Sequence, residues 1–105
     1  MGKMSRDKGA RFERQVARLL TENGWPATRG CQHRGGPGSP DVDASTFPFH
    51  LECKAVERLN LYDAMTQAIR DAAGQKMPAV ISKRNHGDAL FTCKFMDLLS
   101  WLQSL

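Results

Sequence analysis

Cysteine is scarce in this chain of 105 residues: there are three, widely spaced and odd in number. That argues against a disulfide framework and makes a reducing interior the expected setting. Long apolar runs are missing as well, since none approaches the roughly 20 residues that cross a bilayer. The charged N-terminus has no apolar stretch behind it, so no secretory signal is expected there. These absences make the cytoplasm the natural address and leave no membrane partner to expect. Internal repeats are missing, and the only low-complexity tract is the glycine-rich segment 32–39. No C-x2-C or H-x3-H spacing joins Cys31, His33, Cys53 and Cys93, which argues against structural zinc. Cys53 and Cys93 fall where a small buried hydrophobe is expected.

What remains is an ordinary globular composition, 41% hydrophobic and 25% charged, long enough for one domain with one modest core. The net charge of +4 says less than its placement. Lys3, Arg6, Lys8, Arg11, Arg14, Arg18, Arg29 and Arg34 crowd the first third, against only Asp7, Glu13 and Glu22. A basic front end of this kind suits a polyanion such as nucleic acid. By itself it reads equally well as a solvated helix face.

Apolar residues recur at helical spacing over 7–23 (Phe12, Val16, Leu19, Leu20), and Gly24 follows as a stop. Glu13 then sits at the border of the buried stripe. A short strand is expected over 25–31, entered through Pro26, and the glycine-rich segment that follows reads as a mobile loop. Residues 41–44 and 49–55 predict a hairpin, with Ser45, Thr46 and Pro48 in its turn. A helix begins near Leu61 with Asn60 as N-cap. It carries Ala64, Met65, Ala68, Ile69 and Ala72 on one face and stops at Gly74. Residues 77–83 and 89–94 predict two more strands, joined by a turn at 85–88 and followed by a helix over 96–103. That last helix is expected to pack Leu98, Leu99 and Leu102, with Phe95 and Trp101 alongside. The order is helix, three strands, helix, two strands, helix: a small mixed β-sheet flanked by helices, in the α/β or α+β class.

The chemistry concentrates in Pro40-Asp41 and, ten residues on, Leu51-Glu52-Cys53-Lys54. On a strand, residues two apart share a face, so His50, Glu52 and Lys54 project together while Leu51 and Cys53 face the core. An acid and a base are thus held out from a rigid element beside Asp41 of the preceding strand. Such a cluster suits a hard divalent cation and a water beside a phosphodiester. The bland reading is an exposed Glu52–Lys54 ion pair, worth little. Asp43 is a weaker candidate on the face of Asp41, and His50 is either a substrate contact or an edge histidine with no role.

Asp41, Glu52 and Lys54, with Glu13 on the first helix, resemble the PD-(D/E)xK nuclease signature. The element order is similar to the restriction-endonuclease-like core of that superfamily. Within it the chain looks most like the archaeal-type Holliday junction resolvases and their phage relatives. The likeness rests on Lys8-Gly9 through Phe12-Glu13, the glycine-rich run before Pro40-Asp41, and Leu51-Glu52-Cys53-Lys54. Gln67 is similar to a glutamine common in the superfamily, including its virus-type replication and repair branch.

The resemblance implies a metal-dependent, structure-selective endodeoxyribonuclease that resolves branched DNA in recombination or repair. It implies Mg²⁺ held by Asp41, Glu52 and the backbone carbonyl of Cys53, with Glu13 joining the metal or its water shell. Mn²⁺ is expected to substitute. Lys54 would orient the attacking water or stabilise the phosphorane, and Gln67 would brace the site. Candidate DNA contacts are Arg6, Lys8, Arg11, Arg29, His33 and Arg34, with Lys83 and Arg84 at the later turn. Without a base-reading motif, binding is expected to follow shape and phosphate rather than sequence. Two symmetric cuts across a four-way junction call for a two-fold homodimer, with exposed parts of the last or the second helix as its face. A phage protein would work in its host's cytoplasm. The rivals are a flap or single-strand nuclease and a catalytically silent DNA-binding module.

Overall fold

The computed structural model describes residues 2–30 and 40–105, with side chains from residue 6 onward. Helix α1 (Gly2–Glu22) comes first, followed by strands β1 (Thr28–Arg29), β2 (Val42–Asp43) and β3 (Phe49–Ala55). Helix α2 (Leu61–Ala72), strands β4 (Met77–Lys83) and β5 (Leu90–Cys93) and helix α3 (Phe95–Gln103) complete the chain. The expected order of elements is the observed one. The five strands form one sheet in the order β1-β2-β3-β4-β5. All neighbours are antiparallel except β3 and β4, which run parallel from Phe49↔Met77 to Ala55↔Lys83. A parallel pair needs a crossover, and α2 supplies it. The fold is α+β.

The two faces of the sheet are covered differently. On one, Phe12, Val16 and Ala17 of α1 pack against Val42, Phe49, Leu51 and Ala79. Burying side chains such as Phe12 and Val16 contributes roughly 1.5–3 kcal/mol each. On the other, α2 lays Ala64 and Ala68 against Val80, and Ala72 is buried on the same helix. Alanines in the contact let the helix axis come close to the strands. Asn60 caps α2, its side-chain oxygen accepting from the Asp63 N–H, as its sequence predicts. The helix ends in two successive left-handed residues, Ala73 (φ 50°) and Gly74 (φ 75°).

Several expectations need correction. Strand β1 is two residues long rather than seven, and β2 is likewise short. Helix α1 begins at Gly2, five residues before the expected start at Asp7. Leu19 is exposed, because the stripe that faces the sheet runs through Phe12 and Val16. On α2, Ile69 is exposed and Asp71 is buried in its place. Helix α3 buries none of its residues: Leu98, Leu99 and Leu102 all reach the surface. Trp101 turns inward instead, its ring 6.3 Å from that of Phe49. The loop 32–39, Cys31, His33 and Arg34 lie outside the described residues.

Candidate active site

The site forms where β2 begins. With only Val42 and Asp43 in β2 and the register Val42↔Leu51, the edge of β3 beyond Leu51 has no strand partner on that side. The Cys53 N–H there would be a bare donor, costly if buried. It donates instead to Asp41 Oδ2 at 2.8 Å. Asp41 is itself tied down through its backbone. Its N–H donates to the Leu51 carbonyl at 3.0 Å, and its carbonyl accepts from the Gly30 N–H at 2.7 Å. A residue's N–H and C=O point to the same edge of a strand. The Cys53 carbonyl therefore points to the same open notch that Asp41 occupies.

Gly30 matters for this geometry and the sequence alone did not single it out. A Cβ there would lie 2.1 Å from the Pro40 carbonyl oxygen and 3.0 Å from that of Asp41. Only glycine lets the two backbones close up around Asp41.

Glu52 is where the sequence expectation fails most clearly. The strand alternation holds, but the face carrying His50, Glu52 and Lys54 is roofed by α2. Glu52 is therefore 2% exposed rather than held out in solvent. Its Oε1 lies 3.1 Å from His50 Nε2, and the Asp41 carboxylate is close enough to act on its charge. Burial raises its pKa from 4.5 to about 6; the His50 hydrogen bond opposes this, and the neighbouring Asp41 charge adds to it. Lys54 does not pair with Glu52. Its Nζ donates to Gln67 Oε1 at 2.9 Å, so Gln67 braces the lysine from the α2 side. The exposed ion-pair reading of Glu52 and Lys54 is overturned.

Glu13 approaches from α1, on the opposite face. Burial raises its pKa, the Arg29 hydrogen bond lowers it, and the Asp41 charge raises it again. Arg29 Nε holds Glu13 Oε1 at 2.7 Å. Burial likewise pushes the Cys53 thiol up, with further contributions from Asp41, Glu13 and Glu52. The charges of Asp41, Glu13 and Glu52 thus all act on Cys53. Asp43 stays exposed at the surface.

Among the described residues, no three His, Cys, Asp or Glu side chains form a metal-holding group. Two carboxylates are what the site offers. That donor set fits magnesium, which takes one or two carboxylates and fills its remaining positions with water and phosphate oxygens. The fit rests on the crowding of Asp41 against Glu52. Two neighbouring acids repel one another when both are ionised, and a cation between them removes that repulsion.

Cations flank the notch. Lys8 and Arg11 of α1 and Lys83 and Arg84 at the end of β4 line one groove around Ala55, the residue after Lys54. Arg6 does not reach it, being about 200° around the helix from Lys8 at 100° per residue. Arg29 is engaged with Glu13. His33 and Arg34 lie outside the described residues.

Residues 4–104 match the family model described as Phage putative PDDEXK endonuclease. No curated protein and no solved structure gives a significant match. No helix among the described residues is long and apolar enough to cross a membrane. The letters of the family's description are met here by Pro40-Asp41 and by Glu52-Cys53-Lys54. With nearly its whole length matched, the chain belongs to the phage putative PDDEXK endonuclease family.

Proposed function

We propose that this protein is a magnesium-dependent, structure-selective endodeoxyribonuclease that cuts branched DNA as a Holliday junction resolvase does. The observation that carries the reading is the placement of Asp41, whose carboxylate accepts from the Cys53 N–H and acts on the charge of the neighbouring Glu52. Asp41, Glu52 and the Cys53 carbonyl are the groups that would hold the cation. When bound, it neutralises charge on the phosphoryl oxygens and favours an ionised water. Mn²⁺, with similar ligand preferences, would serve as well.

The chain's own residues do the rest. Lys54 has three N–H donors and gives one to Gln67, which leaves two for a water or a phosphoryl oxygen. Being held, the ammonium stabilises the charge that builds as the water oxygen bonds to phosphorus and an ester P–O bond breaks. Glu13, held by Arg29, would act on the water shell of the cation rather than as one of its ligands. The groove of Lys8, Arg11, Lys83 and Arg84 would take the DNA backbone on leaving the notch.

Two coordinated cuts call for two copies of the site. Exposed Phe95, Met96, Leu99 and Leu102 on α3 supply an apolar face of the kind homodimers use. The work would take place in the cytoplasm of the phage's host, during recombination or repair.

The test is a panel of four-way junctions, flaps and single strands incubated with Mg²⁺, Mn²⁺ or Ca²⁺. Junctions should be nicked symmetrically with Mg²⁺ or Mn²⁺. Asp41→Asn and Lys54→Ala should each lose cutting by about 10²–10³-fold, as expected when a stabilising group is removed, while junction binding in Ca²⁺ persists. Preferential cutting of flaps would replace the resolvase by a flap nuclease. Binding without any cutting would leave only a DNA-binding module.

A further inference from the structure

Beneath the notch lies a histidine that the proposed chemistry does not use. His50 starts the polar face of β3, two residues before Glu52, and is only 7% exposed. Its Nε2 lies 3.1 Å from Glu52 Oε1. An ionised carboxylate can only accept, so the ring must donate from Nε2 in this contact. Glu52 is thereby bracketed, with His50 on one side and Asp41 on the other. Lys54, the next residue on the same face, has a partner of its own in Gln67. Each working group on β3 thus has a dedicated neighbour that fixes it.

We infer that His50 is a positioning residue, holding the Glu52 carboxylate in the one orientation that turns it toward Asp41 and the cation between them. This rests on the proposed cation site and adds to it. A glutamate side chain has three rotatable bonds. Burial alone restricts them without choosing which oxygen faces the notch. A ring donor on a rigid strand makes that choice, because rotating Glu52 away from His50 would leave a buried acceptor unpaired. Hydrogen bonds to a ligating carboxylate typically change metal affinity by about 10–100-fold when removed.

The test is Mn²⁺ binding by calorimetry at pH 7.5, on the purified full chain and without DNA. His50→Met keeps the bulk and removes the donor. It should weaken Mn²⁺ binding by about 10–100-fold while metal-free unfolding stays cooperative. His50→Gln, whose amide nitrogen reaches close to the position of Nε2, should recover most of the affinity. His50→Asn, one methylene shorter, should not. Should His50→Met fail to fold, the contrast between Gln and Asn decides the matter alone. Affinity unchanged in His50→Met, or lost equally in the Gln and Asn variants, would overturn the inference. Asp41→Asn separates the two levels. Wild-type binding that Asp41→Asn abolishes and His50→Met leaves intact sinks the role of His50 alone. A wild-type protein that takes up no Mn²⁺ sinks the cation site and this inference with it.

Discussion

Lys54 Nζ and Gln67 Oε1 meet at 2.9 Å across thirteen residues of chain, and alanine makes the meeting possible. Ala64, Ala68, Asp71 and Ala72 are the buried residues of α2, and Ala64 and Ala68 lie against Val80 of the sheet. Ala68 and its neighbour Val80 are fully buried in that contact. A larger residue at 68 would lift the helix and carry Gln67 away from the lysine.

Two substitutions should therefore damage cleavage by the same route. Gln67→Ala removes the brace, and Ala68→Leu displaces it with Gln67 still present. A misplacement of about 1 Å at a reacting group can cost on the order of 10²-fold in rate. Single-turnover cutting of a junction should fall by roughly 10–100-fold in both, with junction affinity in Ca²⁺ unchanged. Ala68→Leu should in addition lose about 1–3 kcal/mol of stability from overpacking, visible in urea titration.

Gly30→Ala is expected to injure a residue it does not replace. The added methyl collides with the Pro40 carbonyl, so the backbone on either side of Asp41 must retreat. Cleavage should fall by at least about 10-fold, by the same positional argument. Mn²⁺ affinity measured without DNA should fall in parallel. Full activity in Gly30→Ala would show that Asp41 does not depend on this close approach.

Glu52 gives the metal-free protein an unusual pH dependence. Its folded pKa of about 6 lies above the ordinary 4.5, so folding favours the protonated acid. Its contribution is fully present below about pH 4.5 and is lost as pH rises through 6, a change on the order of 2 kcal/mol. Burial shifts Glu13 in the same direction. In EDTA, the stability difference between wild type and Glu52→Gln should move against the wild type between pH 4.5 and 7, by calorimetry or urea titration. Mg²⁺ at pH 7 should reverse this, since a ligand that binds only the folded state stabilises it. Metal affinity should rise over the same pH interval, because the proton on Glu52 must leave first.

The basic groove should behave as a phosphate contact and not as a reader of bases. Lys83→Ala and Arg84→Ala should each weaken binding to every junction sequence about equally. Each should also lower the slope of log affinity against log salt by about one. Arg6→Ala, on the far side of α1, should change the slope less.

The backbone plan was legible in the sequence because it depends on local pattern. The alternation from Phe49 to Ala55 fixes β3 to the residue, Asn60 marks the start of α2, and the apolar run 77–83 marks β4. The approach of Asp41 to Glu52 and Cys53 followed from the hairpin those strands imply. What the pattern did not carry was the third dimension. An E-x-K on an alternating strand looks solvent-facing until a helix from the next segment covers it, and only then do Glu52 and His50 become buried partners. Gly30 is visible as a glycine, but its need is set by Pro40, ten residues on in the chain. The leucines of α3 show the opposite error: amphipathic spacing says that an apolar face exists, not that this chain has a surface to cover it.

Strand β3 lies at the middle of the sheet, with β2 and β4 on its edges and a helix over each face. Amides in such a position exchange with solvent only when the whole domain opens. The protons of Leu51 and Glu52 should thus be among the slowest in the molecule to be replaced by deuterium. The carboxylate proposed to hold the cation should sit on one of the last parts of the chain to come apart on heating. Catalytic competence should then persist up to the melting transition and vanish with it, instead of fading through local fraying at lower temperatures.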